Sequence, residues 1–170
     1  MISKNLNKAL NEQVNFEFQS SYDYIAMEVY FKEKNLDGFA NYFHVQALEE
    51  RIHAYMIMDY IARTGGRIEL SAISKPNMKF ENNVAVLKSA LEHEEAVTRS
   101  IYKLMDMAID ENNHSARNFL NQFIAEQDEE EEQARDLLEK MKMIGDEPSG
   151  IFLIDAQLKQ RTLPQEGSQQ

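Results

Sequence analysis

The chain contains no cysteine and no tryptophan, and only three prolines and six glycines among its 170 residues. Without cysteine there can be no disulfide and no thiolate metal site, so any metal must be held by oxygen and nitrogen. Such ligands suit iron, manganese, zinc or magnesium. Basic residues are scarce too, 18 against 29 acidic, for a formal net charge of −11. That balance argues against nucleic acid or an anionic membrane surface as partner and makes cations the natural complement. No stretch approaches a membrane span and the N-terminus carries no signal-like apolar run, so a cytoplasmic location is expected.

At this length a single domain over residues 1–170 is expected, with a core of its own. The rarity of glycine and proline lets long helices be read from their punctuation. The first is predicted over 5–34, with the core stripe Leu10, Val14, Glu17, Ser21, Tyr24, Glu28 and Phe31. The second starts with Asp37 as its cap and ends at Gly65-Gly66, with the stripe Phe39, Phe43, Ala47, Glu50, Ala54, Ile57 and Ile61. Gln46 and His53 lie at the edge of that stripe.

Residues 65–82 have no helical period and include Pro76. Eighteen extended residues reach about 60 Å, more than the ~42 Å of a 28-residue helix. The segment is therefore a crossover that makes helices two and three parallel. Helix three is predicted over 83–111 and helix four from the turn at 112–115 to 144, giving an all-α four-helix bundle over about 5–144. After Pro148, Ser149 is the expected cap of a short fifth helix over about 149–160. Its Ile151, Phe152, Ile154 and Leu158 call for burial on the bundle or between subunits. The polar tail 162–170 is expected to be disordered.

Each bundle stripe carries an acid near its middle: Glu17, Glu50, Glu94 and Glu130. Burying four unpaired carboxylates in one core costs several kcal/mol apiece, and the stripes offer no Lys or Arg to compensate. Two divalent cations would balance them. The spacing also repeats: Glu17 to Glu50 and Glu94 to Gln127 are both 33 residues, and His53 and Glu130 each follow by three. The halves read Glu…Glu-x-x-His and Glu…Gln-x-x-Glu, a duplicated di-metal pattern in which one pair has lost its histidine.

Glu17, Glu50, His53, Glu94, Gln127 and Glu130, with Tyr24 one heptad beyond Glu17, resemble the ferroxidase centre of the ferritin family, in its bacterial non-haem branch. The resemblance covers nearly the whole chain and implies a ferritin-like bundle with a long crossover and a short fifth helix. It implies iron storage with Fe(II) oxidised by O2 or H2O2 at a di-iron centre, inside a homo-oligomeric cage of 24 subunits. Glu17 and His53 would terminate one iron, Glu94 and Glu130 the other, and Glu50 would bridge. Gln127 would hydrogen-bond or ligate weakly, and Tyr24 would donate a hydrogen bond or an electron.

The same resemblance makes Glu49, Glu126, Glu129 and Glu130 a third iron site. Arg51 stands where bacterioferritins place a haem-ligating Met, so no haem is expected. His44 and His93 are expected at the surface. His114, with Asp110 and Glu111, is a candidate iron inlet. The rival readings are a di-iron enzyme acting on an organic substrate, a DNA-protecting mini-ferritin and a non-catalytic helical interaction protein. Against the first stands a minimal bundle with no extra segment to build a substrate pocket, against the second a metal site that lies between subunits in chains lacking this fifth helix, and against the third four core carboxylates left unexplained.

Overall fold

The computed structural model describes residues 2–163. It contains α1 (Lys4–Glu33), α2 (Asp37–Arg63), α3 (Asn83–Asp110), α4 (His114–Ile144) and α5 (Pro148–Leu158). The four long helices match the predicted bundle to within a residue or two at each end. The expected tail falls mostly outside the described residues; Thr162 and Leu163 carry no helix.

The two short turns are built alike. Asn35 and Asn112 both sit at positive φ, 57° and 51°, a conformation Asn tolerates better than most residues. They are the same 77 residues apart as Glu17 and Glu94, so the repeat seen in the acids extends to the turns. The next position breaks it. Asn113 caps α4 by accepting from the Ala116 N–H, whereas its counterpart Leu36 has no side chain to cap α2.

The missing cap comes from α5. Asp155 Oδ1 accepts from the Gly38 and Phe39 N–H groups at 2.7 and 3.1 Å, so the expected capping role of Asp37 is corrected. Asp37 is instead the first helical residue. Gly38 is required by this docking, because a Cβ there would lie 1.7 Å from the Asp155 carbonyl oxygen. The α5 cap also differs from expectation: Glu147, not Ser149, accepts from the Gly150 N–H at 2.7 Å. Pro148 then occupies the first turn, where its missing N–H is harmless.

The crossover runs along α1. Arg67 N–H donates to Asn7 Oδ1 at 3.0 Å, Glu69 N–H to Asn11 Oδ1 at 2.7 Å, and Ser74 N–H to Gln19 Oε1 at 2.5 Å. At the far end Tyr30 OH donates to Asn83 Oδ1 at 3.2 Å. The segment thus travels nearly the length of α1 and delivers α3 parallel to α2. Polar side chains one to two turns apart on α1 satisfy a backbone with no partner strand.

Apolar packing divides into two clusters. One gathers Tyr24, Phe31, Phe39, Phe43, Leu87 and Met141 toward the α5 end. The other gathers Leu10, Ile57, Ile61, Ile101, Leu120 and Phe123 toward the opposite end. Between them lies a polar layer, to which each long helix contributes. Helix α5 closes the first cluster with Ile154, backed by half-buried Ile151 and Leu158, while Phe152 and Leu153 stay 62 and 63% exposed. It therefore docks on its own bundle by one face and leaves a second apolar face outward.

Candidate metal centre

The polar layer buries Glu17, Glu50, Glu94 and Gln127 to 3% exposure or less. Glu17 lies one helical turn beyond Val14 of the cluster far from α5, and Glu50 one turn beyond Ala47 of the cluster at the α5 end. The stripe pattern that buries Leu and Phe therefore buries these acids as well. Glu130, expected as the fourth buried acid, is instead half-buried at the layer's rim, because its position on α4 lies at the edge of the buried face that Gln127 occupies.

Glu17, Glu50 and His53 bring one ligand atom each to within 4.8 Å of one another. Gln13 Nε2 donates to Glu17 Oε1 at 2.8 Å. The remaining oxygens, Glu17 Oε2 and Glu50 Oε2, are buried without any hydrogen-bond partner. Two orphaned carboxylate oxygens beside an imidazole are costly in a closed core, and a divalent cation meets this deficit with the donor set present. His53 Nδ1 is 3.8 Å from Glu50 Oε2, and its Nε2 is 3.3 Å from Glu126 Oε2. Phe123 packs against the imidazole edge-on at 5.5 Å and fixes its plane.

The other half is dressed differently. Glu94 accepts from Tyr24 OH and, at 3.2 Å, from Gln127 Nε2. Gln46 Nε2 lies 3.5 Å from Glu94 Oε1 and donates to Glu130 Oε2 at 2.9 Å. Gln46 thus ties the two acids of this half together. Every Glu94 oxygen has a donor, while the Glu17–Glu50 side has orphans. The two halves are electrostatically unequal, as the loss of one histidine from the repeat implies.

Proton affinities follow the same geometry. Burial, and then the neighbouring Glu50 charge, raises Glu17 well above the usual carboxylate range. Burial likewise raises Glu50 and carries Glu94 to about 7, with Glu130 adding to the push. For His53 burial acts downward, but Glu126 and Glu50 outweigh it and raise the imidazole well above its ordinary value. The metal-free centre therefore stores protons that a cation would displace.

The residues expected at a third site are distributed around this core. Glu49 is buried and pairs with Arg161 Nη2 at 2.8 Å, and burial raises its carboxyl to about 7. Glu126 turns toward His53, Glu130 toward Gln46, and Glu129 is exposed. The tight group of Glu17, Glu50 and His53 does not include them.

The expectation for His93 is corrected. It is half-buried rather than exposed, packing edge-on against Phe16 and Tyr24 at 5.6 and 5.3 Å, with Nε2 buried and unpartnered. Burial lowers its pKa to about 4. Phe16 and Tyr24 of α1 lean over this position, so a residue off the main stripe is still partly covered. His44 is half-exposed as expected, 3.2 Å from Glu28. His114 is exposed beside Glu111, which accepts from Ser3 Oγ at 2.6 Å.

Gln13 and Arg161 escaped the sequence reading. Gln13 lies four residues before Glu17, a spacing that could have flagged it. Arg161 follows α5, and nothing local in the sequence connects it to Glu49.

Comparison with known proteins agrees with this architecture. The ferritin-like domain family matches residues 7–144. Bacterial non-heme ferritin of Staphylococcus aureus strain USA300 is 37% identical over 166 residues, covering 98% of this chain and all of the relative. That of Staphylococcus haemolyticus is 35% identical with the same coverage. Among solved structures, an open-pore ferritin from Archaeoglobus fulgidus superposes with a TM-score of 0.93 at 37% identity, covering 95% of this chain and all of that one. A humanized archaeal ferritin reaches 0.95 at 38%, covering 97% of this chain and all of its own. The chain belongs to the ferritin family, and its similarity is to the bacterial non-haem ferritins.

Proposed function

We propose that the protein is an iron-storage ferroxidase that oxidises Fe(II) in the polar layer and keeps the ferric product as mineral inside a cage of 24 chains. The observation that carries this reading is the pair of orphaned oxygens on Glu17 and Glu50 beside His53. Fe(II) is the substrate. Glu17 and His53 would hold one ion, Glu94 and Glu130 the second, and Glu50 would reach both. Gln127 would hold Glu94 in place through its amide, and Tyr24 would do so through its hydroxyl.

Each Fe(II) gives up one electron. The two electrons and two protons convert O2 to H2O2, or convert H2O2 to two waters. Four carboxylates favour the ferric charge more than the ferrous one, which draws the oxidation forward. Displacement of stored protons on metal binding makes affinity rise with pH. Glu49, Glu126, Glu129 and Glu130 would receive a third iron beside the pair.

The cage rests on family membership and on the outward Phe152 and Leu153 of α5, which suit burial between subunits. Asp110, Glu111 and His114 would line an inlet, and the cytoplasm is the fitting compartment. No described helix is long and apolar enough to cross a membrane. Native mass and aerobic Fe(II) loading together test the reading. For 24 chains of 19.8 kDa the mass is about 475 kDa, with ferric iron retained through gel filtration. A monomer or dimer that neither oxidises nor retains iron refutes it.

A further inference from the structure

Beyond the centre lies an ion pair whose cation, Arg161, the proposed chemistry does not use. Arg161 follows α5, and its guanidinium reaches back onto α2. Its Nη2 donates to Glu49 Oε2 at 2.8 Å and also to Gln46 Oε1. Its Cζ lies 4.4 Å from the centroid of the Tyr42 ring. Asn41 Nδ2 holds the returning backbone by donating to the carbonyls of Leu158 and Arg161 at 3.1 and 2.9 Å. The arginine is mostly buried, and its Nη1 finds no partner.

Gln46 makes this more than a surface contact. Its carbonyl takes Arg161 while its amide donates to Glu130 at 2.9 Å and approaches Glu94. A chain of side chains therefore runs from the segment after α5, through Gln46, to acids of α3 and α4. Glu49 and Glu130, two of the four carboxylates assigned above to a third iron, are the two that Arg161 touches directly or through Gln46.

A carboxylate oxygen bonded to a guanidinium offers a metal ion far less than a free one. Binding a cation at Glu49 means breaking a charge-assisted hydrogen bond and setting two like charges side by side. We propose that Arg161 is a positioning residue and resident counter-ion for the outer carboxylates, held on Glu49 when no metal is there and displaced when one binds. It keeps the outer site weak while the inner pair fills, so occupation is ordered. The inference rests on the functional reading above, since it assumes that the inner layer takes two cations first.

Calorimetric titration of the assembled, metal-free protein with Zn(II), which is redox-inert, separates the two claims. Wild type, Arg161→Gln and Arg161→Lys are compared. Loss of one charge-assisted hydrogen bond to Glu49 predicts an outer event about 10- to 100-fold tighter in Arg161→Gln. The inner two-ion event should be unchanged, and Arg161→Lys should stay near wild type. Equal outer affinity in wild type and Arg161→Gln overturns the role of Arg161 and leaves the inner centre intact. Absence of an inner event in wild type overturns the functional reading instead, and this inference with it.

Wild-type crystals soaked in Zn(II) to saturation of the outer event test the same point without any substitution. Anomalous density beside Glu49 with the guanidinium moved away supports the proposal. Zinc and guanidinium together on Glu49, or no zinc there, overturns it.

Discussion

Replacing Glu17 by glutamine should make the metal-free protein more stable while making it a poor oxidase. The substitution is isosteric. Its carbonyl oxygen can keep the 2.8 Å bond from Gln13, and its amide replaces the orphaned Oε2 with a donor in the group that Glu50 shares. Folding no longer imposes on this position the proton uptake that burial demands of Glu17, and Glu50 keeps a donor beside it, a gain of about 2 kcal/mol. For a chain of this size that is a rise in melting temperature of roughly 4–8 °C.

The sign depends on pH in a checkable way. Burial raises Glu17 above its ordinary 4.5, so its favourable contribution is complete below that value and is lost as pH rises toward its folded pKa. The gain in the variant should therefore be largest at neutral pH or above and vanish near pH 4. Metal-free protein is melted by calorimetry at both pH values, and Fe(II) oxidation is followed by absorbance. Loss of a terminal ligand should slow the fast phase by about 100-fold or more. A variant that is less stable than wild type at neutral pH, or that oxidises iron at the wild-type rate, refutes the placement of Glu17.

His93 should work in the opposite direction. Burial lowers it from 6.5 to about 4, so its contribution is present above pH 6.5 and is lost as pH falls through that window, by about 3 kcal/mol. His93→Phe should flatten the acid side of the metal-free stability profile measured by denaturant unfolding; an unchanged slope would contradict the burial. Asp155→Ala removes the acceptor for two α2 N–H groups and should cost about 1–2 kcal/mol. Hydrogen exchange at Gly38 and Phe39 should speed up, and unchanged protection would show that the cap lies elsewhere. Tyr24→Phe should leave the number of bound cations unchanged but slow oxidation about 10-fold, the equivalent of one hydrogen bond to Glu94. Stopped-flow rates equal to wild type would remove Tyr24 from the account.

The long helices, the crossover and the buried acids were legible because each rests on a periodicity or a length. Four stripes fixed which residues face inward, and an eighteen-residue connection could only be a traverse. What the sequence concealed were contacts made between distant segments. Asp155 caps α2 from more than a hundred residues away, where Asp37 looked like the local candidate. Arg161 reaches Glu49 from a segment with no period at all. His93 looked exposed because its helix stripe excludes it, yet Phe16 and Tyr24 cover it from α1. Helical period reports one face of a helix, whereas large aromatic side chains of a neighbouring helix reach past that face.

The repeat itself proved deeper than the metal pattern. Asn35 and Asn112 preserve it in the turns, and Leu36 against Asn113 marks where the halves diverged and α5 took over a cap. The divergence at His53 against Glu130 has the same character. One half holds a metal-ready group with orphaned oxygens, and the other holds a carboxylate already surrounded by donors.

The central claim is that the polar layer takes two Fe(II) ions per chain and oxidises them as a pair. Anaerobic loading of metal-free protein with increasing Fe(II), each step followed by a pulse of O2, tests it most directly. The amplitude of the fast ferric absorbance should rise linearly and break at two irons per chain. A fast phase no quicker than oxidation in buffer, or an amplitude that rises without a break at two, would contradict it.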